Sequence, residues 1–148
     1  MRTDMSKDNK PAEVTLAKMT VISEQEPIKL PDSFIDALKP EGKSHAIIIL
    51  APSTKIVRII PTNSNTVAKI NINIAKLSPD FLRQMGSIFI SLGIKTLYST
   101  GLCFTQDTCV YEGYFDSTEL NEISTDDIKN EFLAIPGVST VTINMLSV

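Results

Sequence analysis

The chain has one histidine, His45, two cysteines and no tryptophan among 148 residues. A metal site built on two or more histidines is therefore excluded, and a histidine-centred triad has no second supporting feature. His45 beside Ile47 reads as a strand-end residue. Only six glycines occur, and none forms GxGxxG or GxxxxGK, so no phosphate-cradling loop is encoded. No apolar run approaches the roughly 20 residues needed to span a bilayer, and no signal-peptide core opens the chain. A cytoplasmic protein without a membrane partner is the expectation. Charge is balanced, at net −3, which gives no global attraction to nucleic acid. The balance is uneven along the chain. Residues 1–66 carry nine Lys/Arg and eight Asp/Glu, net +1, and residues 67–148 carry five and nine, net −4. Asp126-Asp127 reads as first-turn helix electrostatics, and Glu119 and Glu122 as a solvated loop. No catalytic residues, metal ligands or cofactor are expected, and a hydrolase or transferase is disfavoured.

What is present is a strong pattern from Val67 onward. Ile70, Ile72 and Ile74 alternate with Lys69, Asn71 and Asn73, the period of a strand with one buried face. Ser78 then offers an N-cap, Pro79 suits the first helical position, and Asp80 complements the helix start. Leu82, Met85, Phe89 and Leu92 mark the apolar face, with Gly86 letting helix and sheet approach, and Gly93 stops the helix. Strand-like runs follow at 94–104 and 108–115. A second helix starts at Ser124, with Asp127 at capping-box spacing, buries Ile128, Phe132 and Ile135, and ends at Pro136-Gly137. Val141, Ile143 and Met145 form the last strand. The order is β-α-β-β-α-β, the ferredoxin-like arrangement. The fold class is α+β.

Ser78-Pro79-Asp80-Phe81-Leu82, Phe89 to Ile94, and Ile135-Pro136-Gly137-Val138 resemble the ACT domain, a small ligand-sensing module. The resemblance covers a little over half the chain. It implies pairing of copies into a homodimer or higher oligomer. It also implies an amino-acid-like or small anionic effector held at Lys76, Leu77, Ser78, Pro79, Asp80 and Phe81, where helix N–H groups attract anions. Asp80 stands where the family usually has glycine, and its carboxylate opposes a ligand carboxylate. The expectation is a different ligand, or dimerisation without one. An open sheet face or free edges also point to self-association.

Before Val67 the pattern is weaker. Residues 1–12 read as a disordered tail. Residues 13–62 read as a small β-rich module with one short helix: strands around 14–16 and 19–22, a helix at Ser33 to Leu38 capped by Asp32, a turn at Pro40-Glu41-Gly42-Lys43, and strands at 46–50 and 56–60 joined by a hairpin loop at 51–54. Residues 63–66 read as the linker between two domains. Ser23-Glu24-Gln25, Ile28-Lys29-Leu30-Pro31 and Lys39-Pro40-Glu41-Gly42 resemble the AbrB-type swapped-hairpin module. That resemblance implies DNA binding through Lys29, Lys39, Lys43 and Arg58, although Glu24 and Glu26 sit where bases would help.

Cys103 and Cys109 flank Thr105-Gln106-Asp107. A three-residue loop there sets Phe104 opposite Thr108 and Cys103 opposite Cys109. A disulfide suits an oxidising setting, and two small buried apolar residues suit an ordinary cytosol. The combined functional expectation is a non-enzymatic regulator, a dimeric small-effector sensor with a transcriptional-regulator role in view. The alternative is an assembly protein, or the regulatory partner of an enzyme, without ligand or DNA binding.

Overall fold

A computed structural model describes residues 14–38, 45–120 and 123–148. The expected tail at 1–12, the turn at 40–43, and Lys39 and Lys43 lie outside the described residues. The chain divides into two compact units, 1–39 and 40–148. In the first, the only described regular element is α1 (Asp32–Leu38), which buries no residue. The strands expected at 14–16 and 19–22 do not form. Val14, Met19, Val21 and Ile22 are exposed. Strand N–H and C=O groups need a neighbouring strand, and the described part of this unit supplies none.

The second unit begins with an antiparallel hairpin, β1 (His45–Ala51) and β2 (Ile56–Thr62). Its four-residue loop runs over 52–55, one residue later than the sequence suggested, and Lys55 takes the left-handed conformation at φ 58°. Then come β3 (Thr66–Ile74), α2 (Pro79–Leu92), β4 (Tyr98–Thr105), β5 (Thr108–Asp116), a short 3-10 turn (Ser117–Leu120), α3 (Thr125–Leu133) and β6 (Val138–Ser147). The sheet order is β4-β5-β3-β6, with every neighbour antiparallel. Both helical connections skip a strand, which is the ferredoxin-like β-α-β-β-α-β plan.

Local chemistry explains the helix ends. The Ser78 hydroxyl accepts the Phe81 N–H at 3.1 Å, Pro79 opens α2, and Gly93 closes it at φ 67°. The Ser124 hydroxyl caps α3 by accepting from Asp126. The buried stripe of α2 is Phe81, Met85 and Phe89, while Leu82 is exposed. Both stripes have helical spacing, and the docking angle selects between them. Gly86 has open space around it and is not the point of close approach. With Ile128, Phe132 and Ile135 of the α3 region, this stripe covers Ala68, Ile70, Ile72 and Ile74 of β3. The strand expected from Ile94 starts only at Tyr98. Met145 at the end of β6 is exposed.

The other face of the sheet is not bare. Ile47 and Ile49 of the hairpin pack on Val67 and Tyr114, with Ile60, Leu97 and Tyr98 beside them. Of residues 63–66, expected as a linker, 63–65 form a bend held by side-chain hydrogen bonds inside this unit, and Thr66 already opens β3. Buried Asp116 accepts from the N–H groups of Asn63 (2.7 Å), Ser64 (3.3 Å) and Thr118 (3.1 Å). It also accepts from the hydroxyls of Ser64 (2.8 Å) and Thr118 (2.9 Å). Burial pushes its pKa up, but the hydrogen bonds from Thr118, Ser64 and Asn63 outweigh burial and hold it below the usual carboxylate value.

Candidate functional site

The alternation of β4 and β5 places Tyr98, Thr100 and Leu102 with Val110, Glu112 and Tyr114 on the face turned away from the helices. The register sets Tyr98 opposite Tyr114, Thr100 opposite Glu112 and Leu102 opposite Val110. The hairpin covers only one end of this face. Beyond the covered end, the hairpin tip and the sheet enclose a cleft of about 400 Å³. Such a volume lies within the roughly 300–1,000 Å³ of small-molecule sites. Ile49, Leu50 and Ile56 wall it from the hairpin, and Leu102, Phe104 and Val110 from the sheet.

Its polar groups are organised. The Arg58 guanidinium stands over the Tyr98 ring, 4.6 Å from the centroid. Tyr98 in turn leans on Tyr114 at 6.4 Å and 33°. Lys69 of β3 lies 5.5 Å from the centre of the Tyr114 ring and pairs with Glu112 at 3.4 Å. Asn71 donates to the other Glu112 oxygen at 3.2 Å. Burial works against the Lys69 ammonium, but Tyr114 and Glu112 outweigh it and hold its pKa above the usual lysine value. Glu112 is thus satisfied from β3. Arg58 is half-buried and makes no ion pair with a described residue.

The residues named from the sequence are distributed differently. Leu77 is half-buried against the helix-side core. One of its methyls would lie 2.7 Å from a Cβ on Gly101, so a side chain there would need the Leu77 end to shift. Phe81 is core, edge-on to Tyr111 at 6.4 Å. Lys76 is exposed. Asp80 is exposed and bonds along its own helix to Arg83 and Gln84, which lower its pKa. That pair is exposed and screened by solvent. Lys29 is exposed in the first unit, and Arg58 lines the cleft of the second. A hollow of about 410 Å³ also exists in the first unit, between 18–20 and 28–34. Its walls are extended chain and a seven-residue helix with no buried residue, so little fixes its shape.

Cys103 and Cys109 are paired across β4 and β5, as the spacing suggested, and they form a disulfide. Cys109 is buried and Cys103 exposed, so they are not two core residues. Thr105, not Phe104, faces Thr108, because Phe104 is the extra residue of a bulge. Phe104 therefore projects, largely exposed, at the cleft. Sequence reasoning missed Tyr98, Thr100, Glu112 and Tyr114. A usable signal existed: counting five residues back from Cys103 and five forward from Cys109 aligns the two tyrosines.

No protein-family model matches the chain, and no curated protein matches it. Among solved structures, it is similar to LarC2, the C-terminal domain of a cyclometallase involved in the synthesis of the NPN cofactor of lactate racemase. That match has 11% identity and a TM-score of 0.40, and it covers 55% of this chain and 54% of that one. A mutant of SnoaB, a cofactor-independent oxygenase from Streptomyces nogalater, matches at 12% identity and a TM-score of 0.38, covering 57% of this chain and 94% of that one. Likenesses this distant carry no argument about activity. The fold assignment rests on strand order and connectivity.

Proposed function

We propose that this protein is a non-enzymatic small-effector sensor whose effector seat is the cleft between the β1–β2 hairpin and the outer sheet face. The observation that carries this is Arg58: a half-buried cation, stacked on Tyr98 and without a carboxylate partner among the described residues, at the wall of a cleft of ligand size. The lining offers a charge, ring faces and hydroxyls, the groups that hold and orient a ligand. This seat replaces the loop at 76–81. A ligand bridging hairpin and sheet would tighten the joint between them, giving binding a structural readout.

The test is a thermal-shift screen of the full chain against amino acids, nucleotides and organic acids. A ligand at 100 times its Kd adds about 2.7 kcal/mol to stability. The shift is expected to shrink in Arg58→Gln. No shift with any compound overturns the proposal.

One observation favours the assembly reading beside it. Ile48 and Val57 project from the hairpin face opposite the core and are exposed. A strand pair apolar on both faces is the pattern of one covered on both. Self-association through this face is part of the proposed function. Light scattering at micromolar concentration should exceed the 16.3 kDa of one chain. A monomer mass rejects that part.

A further inference from the structure

We infer that the ligand class of the cleft is a small monocarboxylate with an apolar or aromatic body. This rests on the cleft being the effector seat and goes beyond it by naming the chemistry.

The charges lead to one anionic group. Three charged side chains approach the outer face here. Lys69 and Glu112 neutralise each other at 3.4 Å, and Asn71 takes the second Glu112 oxygen. Among the described residues of the lining Arg58 is left as the single uncompensated charge, so they present close to one positive charge. A guanidinium is a planar fork of N–H donors that matches a carboxylate in two parallel bonds. The Arg58 guanidinium carbon lies 4.6 Å from the centre of the Tyr98 ring, and no carboxylate among the described residues takes its N–H donors. A dianion or phosphate would have only one cation to meet it, with the Glu112 carboxylate on the same face. A zwitterionic amino acid would bring an ammonium that Glu112, already paired, has little left to bind.

The walls lead to the apolar body. Beyond Arg58 the lining is Leu50, Ile56, Leu102, Phe104 and Val110. Leu102 and Phe104 are exposed on a bulged edge strand, where large apolar groups would otherwise face water. An alkyl or phenyl group laid between them removes apolar area on both sides, at about 25 cal/mol per Å². The head at Arg58 and the tail at Phe104 define an orientation.

Calorimetric titration of the full, oxidised chain with octanoate and phenylacetate tests this, set against octylamine, phenethylamine, acetate and glycine. The two apolar acids should bind, and the amines, acetate and glycine should bind at least roughly tenfold more weakly. Arg58→Gln should weaken octanoate by roughly 10- to 100-fold, the worth of a hydrogen bond to a charged partner. Thr100→Trp, which fills the cleft, should abolish binding while far-ultraviolet circular dichroism stays native. If amines bind as well as acids, or Arg58→Gln leaves octanoate binding intact while Thr100→Trp abolishes it, the carboxylate class is wrong and the cleft remains the seat. If Thr100→Trp folds and still binds, the seat is wrong. If no acid binds while another class from the screen does, the inference fails and the sensor reading stands. If nothing binds at all, both fail.

Discussion

Replacing Asp116 should loosen the joint between hairpin and sheet. The residue is 4% exposed, and its carboxylate accepts five hydrogen bonds, one from Asn63, two from Ser64 and two from Thr118. Three of those donors are backbone N–H groups, of Asn63, Ser64 and Thr118. Hydrogen bonds to a charged group are worth about 1.5–3 kcal/mol each in isolation, and a network does not add linearly. The Ser64 hydroxyl has other partners in Thr66 and Ser117, so its loss costs little. Asp116→Ala should therefore cost about 3 kcal/mol, and Asp116→Asn, which keeps one acceptor, about 2 kcal/mol. Urea titration at pH 7 measures this. With a slope of about 1–3 kcal/mol per molar, the alanine midpoint should fall by about 1–3 M. The pH dependence follows from the lowered pKa. The carboxylate's contribution is whole above the unfolded-chain value, near 3.9, and fades as pH falls below it through the folded value. The gap between wild type and Asp116→Asn should thus be full at pH 7 and narrow steadily on acidification below about pH 4. An asparagine variant within about 0.5 kcal/mol of wild type at pH 7, or a gap that does not change with pH, would refute this account of the turn.

Three further outcomes follow. Phe132→Ala, at a fully buried ring 5.3 Å from that of Phe89, should lose about 3–5 kcal/mol by chemical denaturation. Gly93→Ala has open space for its methyl but must hold φ near 67°, so it should cost about 1–2 kcal/mol from backbone strain alone, visible as a lowered Tm. Cutting the Cys103–Cys109 disulfide with a reductant, or as Cys103→Ser, should cost about 2 kcal/mol, because the closed loop spans a separation of only six residues. Equal urea midpoints for oxidised and reduced protein would show that the hairpin holds its register unaided.

Much of the second unit was legible because its signals are local. Ser78, Pro79 and Gly93 announce the ends of α2 through bonds and dihedrals within a few residues. Ile70, Ile72 and Ile74 declare a buried face by period alone. Cys103 and Cys109 set a register by counting, although the bulge at Phe104 broke the count at the turn. The sequence by itself thus determined the element order, the ferredoxin-like plan and the helix-side face of the sheet.

Tertiary structure decided what covers the opposite face. Ile47, Ile49 and Ile60 are apolar, but so are Ile48, Leu50 and Val57, and pattern alone cannot say which side of a hairpin meets a sheet. The same ambiguity let Leu82 stand in for Phe81 on α2. The polar stretch 63–66 read as a linker because the carboxylate that organises it, Asp116, lies 53 residues from Asn63. Arg58 looked like a surface cation until the hairpin folded over and set it on Tyr98. In each case the deciding partner is distant in sequence, and several local choices have nearly equal burial energy. Only packing the whole chain at once separates them.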